Sequence, residues 1–435
     1  MKKIAIATLG CKVNQYESAS FVSSFQETGC EMVPFTSLAD VYVINTCAVT
    51  ARAGQQSRQL VRRALKTNPD AKLVVTGCYA QMEPQQILGI TENCLCIVGN
   101  GYKHLLVEAA LTKSSCDLSM LMGNVGLKRE ICPLQVRRFS GRTRAFLRIQ
   151  DGCNNFCSYC IVPYTRGRSR SVPLKEVLDQ AAVFAGEGYR EMVITGINVG
   201  KYGADLDEGE TIYSLFSRLC RDFPDMRFRL SSIEPTEVND ALLDLMSGLP
   251  NFMPHLHIPL QSGDDRILSD MNRHYSVQYF TKVIGEIHAA LPDAAIGCDI
   301  LCGFPGEDDT AYTNTSRLIE ELSVTYLHVF PYSKRSGTLA ASMKNQVPKQ
   351  VKEERVRKLR TLDRAKRDVF YARFVHTTQK VLVEQRNRKN KLLQGFSENY
   401  LPVRFDGPEN LSGEVVPVRI DRMKDGELFG TIEKS

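Results

Sequence analysis

Short apolar runs alternate with stretches of helical period through two long series, and then give way to closely spaced strands alone. That order limits the fold more than any other feature, because each parallel strand needs a crossover, usually a helix, to bring the chain back. In the first series Lys3 to Thr8, Val41 to Thr46 and Leu73 to Thr76 read as buried strands, with Ile97-Val98 a weaker fourth. Glu17 to Thr28 and Ala53 to Lys66 have the helical period between them. The second series offers Ala145 to Gln150, Glu191 to Thr195, Arg227 to Ser231, His255 to Leu260, Ala295 to Leu301 and Tyr326 to Pro331. Separated by helices such as Leu174 to Gly186 and Asp308 to Leu322, these six strands predict a partial (β/α)6 barrel. A helix from Lys349 to about Thr377 follows. Then come Gln379 to Glu384, Leu392 to Gly395, Tyr400 to Phe405, Glu414 to Ile420 and Leu428 to Ile432, which predict a small all-β, OB-like barrel. The expected class is α/β, with units over 1–113, 139–369 and 371–435 and a linker over 111–137. No apolar run reaches the roughly 18 residues of a membrane span, and Ile4 to Ala7 is too short for a signal core, so a cytoplasmic location is expected.

Fourteen cysteines in such a chain cannot be a disulfide framework, because reducing compartments keep thiols free. The sharpest pattern is Asp151-Gly-Cys153-Asn-Asn-Phe-Cys157-Ser-Tyr-Cys160, a C-x3-C-x2-C run just past the first barrel strand. Cys153, Cys157 and Cys160 on one turn can hold three irons of a [4Fe–4S] cluster and leave the fourth iron open to a small molecule. Zinc would want a fourth Cys or His at short range, and His255 and His257 are about 100 residues away. Three more cysteines share a register: Cys11, Cys47 and Cys78 each follow one of the first three strands. The carboxyl ends of parallel strands lie along one edge, where ligands bind, so the three thiols are expected to converge on one crest. They read as the ligands of a second three-cysteine iron–sulfur cluster. Gly10 and Gly77, just before two of them, would allow close backbone approach. Cys30, Cys94, Cys96, Cys116, Cys132, Cys220, Cys298 and Cys302 are assigned structural places.

The C-x3-C-x2-C spacing, with Tyr159 before its last cysteine, resembles the signature of the radical S-adenosylmethionine (SAM) enzymes. The resemblance implies that the open iron chelates SAM, that reductive cleavage yields a 5′-deoxyadenosyl radical, and that Tyr159 packs near the adenine. Thr8-Leu-Gly-Cys-Lys-Val-Asn-Gln-Tyr-Glu-Ser18, and the Cys153 run continuing into Ile161-Val-Pro-Tyr-Thr-Arg-Gly167, closely resemble the methylthiotransferases among them. Further similar segments are Thr195 to Asn198, Leu230 to Pro235, His255 to Gly263, Met271 to Arg273 and Asp299 to Glu307, so the likeness covers nearly the whole chain. It implies a TRAM-type RNA-binding barrel at the C-terminal end and two [4Fe–4S] clusters. It also implies a SAM site built from Gly196, Asn198, Ser231, Ser232, Glu234, Gln261 and Asp299 at the barrel mouth. "GCKVNQYES" is similar to the group acting on N6-threonylcarbamoyladenosine (t6A) at position 37 of tRNA, whereas the isopentenyladenosine group usually shows "GCQMN" and the ribosomal-protein group "GCPKN". One departure lies after Arg168, where the family often carries an acidic and a basic residue and this chain has Ser169 and Val172. The implied reaction is insertion of a methylthio group at C2 of the modified adenine. One SAM methylates sulfur carried by the Cys11, Cys47, Cys78 cluster, and a second supplies the radical. An external low-potential electron donor, a tRNA anticodon loop bearing t6A37 and a monomeric enzyme with no membrane partner complete the expectation.

Charge placement agrees with an RNA partner. Lys349 to Lys391 holds fifteen Lys or Arg against five Asp or Glu, an excess larger than the net +6 of the whole chain. Arg137, Arg138, Arg142 and Arg144 form a second basic stretch, and Phe396, Tyr400 and Phe405 of the small barrel are candidates for base stacking. Gly196 to Lys201 is not a phosphate loop, since the spacing is one residue short and Tyr202 stands where Ser or Thr is needed. Two rivals remain at this level: a radical enzyme acting on a ribosomal protein side chain, and a non-catalytic iron–sulfur or zinc protein that binds RNA.

Overall fold

The computed structural model describes residues 1–91, 94–112, 118–207, 209–387 and 391–433. The first unit is a six-stranded, all-parallel sheet in the order β2-β1-β3-β4-β5-β6. Its strands are β1 (Lys3–Thr8), β2 (Glu31–Met32), β3 (Val41–Thr46), β4 (Lys72–Gly77), β5 (Leu95–Val98) and β6 (Ser119–Leu121). The central β3, Val-Tyr-Val-Ile-Asn-Thr, is buried at every position, as a parallel strand covered on both faces must be. Helices α1 (Lys12–Glu27) and α2 (Ala51–Thr67) provide crossovers, and Thr50 caps α2 by accepting a hydrogen bond from Ala53 N at 3.1 Å.

The second unit is an open barrel of six parallel strands: β7 (Arg144–Arg148), β10 (Glu191–Thr195), β11 (Arg227–Leu230), β12 (His255–His257), β13 (Ala295–Cys302) and β14 (Tyr326–Pro331). They form two three-stranded sheets, β11-β10-β7 and β12-β13-β14, joined through single bridges such as Ser232 to His257. A short antiparallel pair, β8 (Gln150–Asp151) and β9 (Arg170–Ser171), closes the cysteine loop between them. The expected strand from His255 to Leu260 shrinks to three residues. Beyond His257 the chain turns inward, and Gln261 adopts a left-handed φ of 67°.

Two short helices, α3 (Cys78–Met82) and α4 (Val162–Arg166), carry site residues, and the long helix α5 (Lys349–Ala372) packs against β14. The chain then closes a five-stranded barrel from β15 (Thr378–Arg386), β16 (Leu393–Ser397), β17 (Pro402–Phe405), β18 (Val415–Lys424) and β19 (Glu427–Ile432). Among the described residues no helix is long and apolar enough to cross a membrane.

Two expectations need correction. The segment 111–137 is not a plain linker. It supplies edge strand β6, and Leu134 and Val136 are buried, with Tyr16 Oη donating to Leu134 O at 2.8 Å and Gln180 Nε2 to Val136 O at 2.7 Å. Its weak periodicity reflects a mostly exposed strap anchored at a few buried points, Val125, Leu134 and Val136. The aromatic residues of the C-terminal barrel are not a free stacking platform either. Phe405 lies in the barrel core, 1% exposed, while Phe396 and Tyr400 stack on each other at 4.6 Å beneath the Arg144 guanidinium. Tyr400 also packs on His255 of β12, with ring centroids 4.6 Å apart. These rings dock the small barrel on the large one.

Candidate active site

The three strand-end cysteines do share one edge. In the first sheet Thr8 stands opposite Asn45 and Thr46 opposite Gly77, so β1, β3 and β4 end together. Cys11 then caps α1, Cys47 follows β3, and Cys78 opens α3. The glycines are required there. Gly77 has φ +97°, and a Cβ on it would stand 2.3 Å from Thr46 O; one on Gly10 would stand 2.9 Å from Cys47 Sγ. Val49 N donates to Cys47 Sγ at 3.5 Å and Asn100 Nδ2 to Cys78 Sγ at 3.9 Å. Burial pushes the Cys47 thiol up to about 11, so in the free protein it is a neutral thiol that must release a proton to bind metal.

The second triplet sits on a loop fixed from several sides. Gly152, at φ +75°, faces Arg168 O so closely that a Cβ would stand 1.9 Å from it, and Cys153 N donates to Gly167 O at 3.1 Å. Asn272 Nδ2 donates to the carbonyls of Asn155 and Phe156, at 3.2 and 3.1 Å. Arg273 Nη1 reaches Cys157 Sγ at 3.3 Å while the same guanidinium pairs with Glu234. Burial raises the Cys153 and Cys160 thiols to about 11 and about 12. Tyr159 packs edge-on to Phe304 at 6.4 Å in a small apolar cluster with Ile267 and Met271.

All six cysteines of the two triplets are free. Among the described residues one set of three His, Cys, Asp or Glu side chains has all its ligand atoms within 4.8 Å of one another, namely His257, Asp299 and His328; neither cysteine triplet is drawn that close. Three thiols without an imidazole or carboxylate make a soft donor set of the kind an iron–sulfur cluster takes, and each triplet would leave one iron of such a cluster without a protein ligand. Among the cysteines read as structural, Cys96, Cys220, Cys298 and Cys302 are buried and Cys30 and Cys132 half-buried. Cys94 departs from the expectation of free thiols, being disulfide-bonded, and Cys116 lies outside the described residues.

Between the triplets lies a buried ionic network that spacing did not reveal. Arg166, at the end of α4, is 1% exposed. Its Nη1 donates to Asp151 Oδ1 and Oδ2 at 2.9 and 3.0 Å and to Glu17 Oε1 at 3.1 Å, and its Nη2 to Asn14 Oδ1 at 2.6 Å. Lys103 meets the other oxygen of Glu17 at 2.5 Å. Burial alone would raise both carboxyls, but the neighbouring cations win: Asp151 falls to about 2, and Glu17 also lies below its usual range. One guanidinium thus ties the crest-bearing unit to the cysteine loop of the barrel.

The residues expected to hold SAM divide. Glu234, Asn198 and Glu237 form one polar cluster. With its amide turned to suit its neighbours, Asn198 donates to both oxygens of Glu237, at 3.0 and 3.1 Å. Burial raises Glu237 to about 7, with the Glu234 charge adding to the effect. Ser231 and Ser232 directly follow β11, and their hydroxyls have no hydrogen-bond partner among the described residues. Gly196 is approached by Gln150, whose Oε1 accepts from Ile197 N and Asn198 N, both at 2.9 Å, and would lie 2.9 Å from a Cβ at Gly196. The expected close approach at Gly196 is therefore made by a side chain of β8. Gln261 leaves β12 and pairs by its backbone with Asp299 and Leu301. Asp299 is mid-strand in β13, not at its end, and its Oδ1 lies 2.9 Å from His257 Nε2 and 3.5 Å from His328 Nδ1. Burial opposes ionisation there, yet the two histidines hold that carboxyl well below the usual range. Gln150, Arg166, Glu237 and Arg273 also line this region; spacing does not single them out, although Arg166 lies within Ile161 to Gly167 and Arg273 within Met271 to Arg273.

Three stretches of the chain match known families. Residues 3–99 match the family described as "Uncharacterized protein family UPF0004", residues 147–319 the radical SAM superfamily and residues 372–432 the TRAM domain. Membership of the radical SAM superfamily implies SAM and one [4Fe–4S] cluster. Relatives named threonylcarbamoyladenosine tRNA methylthiotransferase MtaB include one from Bacillus subtilis, 37% identical over 97% of this chain and 94% of that protein. Another, from Rickettsia prowazekii, is 37% identical over 92% and 91%. A Fusobacterium nucleatum protein named tRNA-2-methylthio-N(6)-dimethylallyladenosine synthase is 32% identical over 99% and 100%. In fold, the radical SAM methyltransferase TsrM from Kitasatospora setae, solved with cobalamin and a [4Fe–4S] cluster, superposes with a TM-score of 0.56 at 14% identity, covering 78% of this chain and 77% of its own. The chain belongs to the threonylcarbamoyladenosine tRNA methylthiotransferase family of radical SAM enzymes.

Proposed function

We propose that the protein converts t6A at position 37 of tRNA to its 2-methylthio form. The observation that carries this reading is the pair of free cysteine triplets, on two different folds, linked through Arg166. C2 of adenine carries a hydrogen that no side-chain base removes at neutral pH, so this chemistry calls for a radical. When bound, SAM and the clusters supply a one-electron cleavage that yields a hydrogen-abstracting radical, together with a methylated sulfur for the carbon centre.

The chain's own residues have distinct tasks. Cys153, Cys157 and Cys160 hold the cluster that binds SAM, and Cys11, Cys47 and Cys78 hold the auxiliary one. Arg273 steadies Cys157 and orients Glu234. Ser231, Ser232, Asn198, Glu234 and Gln261 offer polar groups to SAM, Tyr159 offers an apolar face to its adenine, and Gly196 with Asp299 shapes the mouth. Residues 1–113, 139–369 and 371–435 act as sulfur-carrying, radical and RNA-binding units of a monomeric cytoplasmic enzyme fed by an external low-potential donor.

Anaerobic reconstitution tests the reading. Wild type is expected to hold about eight irons per chain, and the Cys11→Ala, Cys47→Ala, Cys78→Ala variant about four. Mass spectrometry of nucleosides from t6A-bearing tRNA should show the methylthio product with the former and not the latter. Full iron and full product in the triple variant would remove the auxiliary cluster from the mechanism. Product on a ribosomal protein instead of tRNA, or no 5′-deoxyadenosine from SAM after reduction, would transfer the assignment to one of the rivals.

A further inference from the structure

One cation stands unmatched where the three units of the chain meet. Lys12 opens α1 directly after Cys11; the surrounding protein holds its ammonium below the usual lysine range, with Tyr400 of the C-terminal barrel and Cys11 acting to raise it and Arg144 and Arg229 of the barrel to lower it. His255 of β12 senses Lys12, Arg144 and Arg229 in turn. The two arginines have anions of their own. Arg144 meets Glu384 at 2.7 Å and stands 3.8 Å from Glu191. Arg229 is bound to both oxygens of Glu191, at 2.8 and 3.1 Å, and donates to the carbonyls of Ser397 and Glu398. Farther along the same bore the Asp299 carboxylate is taken by His257. Lys12 has an exposed side chain and makes neither a hydrogen bond nor an ion pair with any described residue. Beside this junction, buried His255 Nδ1 also has no hydrogen-bond partner among the described residues. The junction therefore holds positive charge without its anion, beside the crest from which sulfur would be delivered.

The substrate class named above has the complementary chemistry. In t6A a carbonyl bridges N6 and the amino group of a threonine, which leaves the threonine's carboxylate and hydroxyl free. C2 and C6 belong to one ring, so a carboxylate carried on N6 ends one linker length from the reacting carbon. We propose that Lys12 is the specificity-determining cation that pairs with the threonyl carboxylate of the substrate. The inference rests on the function proposed above and names the part of the substrate that is read there. A phosphate contact at Lys12 would also use the charge, but it would not distinguish one N6 substituent from another.

The test uses reconstituted full-length enzyme and three anticodon stem-loops, bearing t6A37, its threonine carboxamide analogue, or unmodified A37. Affinity is read by fluorescence anisotropy at fixed salt, and turnover by mass spectrometry. Wild type should bind and turn over the t6A loop about ten- to a hundred-fold better than the carboxamide loop, the range of one charge-assisted hydrogen bond. Lys12→Gln should bring that ratio near one with iron still about eight per chain, and Lys12→Arg should keep most of it. Equal treatment of acid and amide by wild type overturns the proposal. So does an unchanged ratio in Lys12→Gln, or a uniform loss across all three loops. Loss of iron in Lys12→Gln would assign the residue to cluster support and overturns it as well. Absence of any product from wild type on t6A tRNA would refute the function itself, an outcome distinct from all of these.

Discussion

Removing the Arg166 guanidinium would leave Glu17 and Asp151 facing each other in the interior, since both carboxylates are buried and both draw hydrogen bonds from it. Breaking a buried pair from one side typically costs about 3–5 kcal/mol, because the remaining charge has neither water nor partner. Arg166→Met should therefore lower the urea midpoint steeply, with Lys103 rescuing Glu17 only in part. Glu237 gives a pH signature of opposite origin. Its folded value of about 7 lies above the unfolded 4.5, so folding favours the protonated carboxyl. Its contribution is fully present below pH 4.5 and fades as the pH rises through 7, and Glu307, also raised by burial, acts in the same direction. Glu237→Gln should flatten the decline in stability between those limits, measured as denaturation midpoints at pH 5 and 7.5. Neither residue announced itself in the sequence, because a buried charge is recognised by what folds around it. The six cysteines did, since thiols need only spacing and strand register to be read.

At the scale of elements, the crest depends on strand ends that stop in step. Gly77→Ala puts a Cβ 2.3 Å from Thr46 O at a φ of +97°, so β4 and α3 must shift and carry Cys78 with them. The expected outcome is iron falling toward about four per chain with far-UV dichroism unchanged, checked by iron assay and circular dichroism on the same sample. The first sheet's three main strands were legible because burial on both faces writes apolar runs, and the barrel strands because short apolar stretches recur between segments of helical period. The strap through Leu134 and Val136 was not, because an extended segment held by carbonyl contacts from Tyr16 and Gln180 has no period to read.

Helix α5 shows how the whole molecule redistributes a charge pattern. Part of its basic excess is structural. Arg355 pairs with Glu307 and Asp309, Arg367 with Asp363, and Lys366 donates to the carbonyls of Glu320 and Leu322. Arg357, Arg360 and Arg364, spaced three and four apart on one face, are exposed and have no side-chain partner among the described residues. If tRNA lies along that face, changing all three to Gln should reduce the slope of log affinity against log salt by about two to three, while leaving the preference for t6A in place. An unchanged slope would move the RNA to another face. The sequence by itself determined the order of folds, the two cysteine triplets and the excess of positive charge, because strand period, thiol spacing and charge are local properties of the chain. Only the tertiary structure decided which cations remain free for a ligand, that Phe396 and Tyr400 join the two barrels, and that Arg166 ties the crest to the cysteine loop. A charge or a ring commits to a partner only after distant segments have met, and that meeting is settled by packing and burial across the whole molecule.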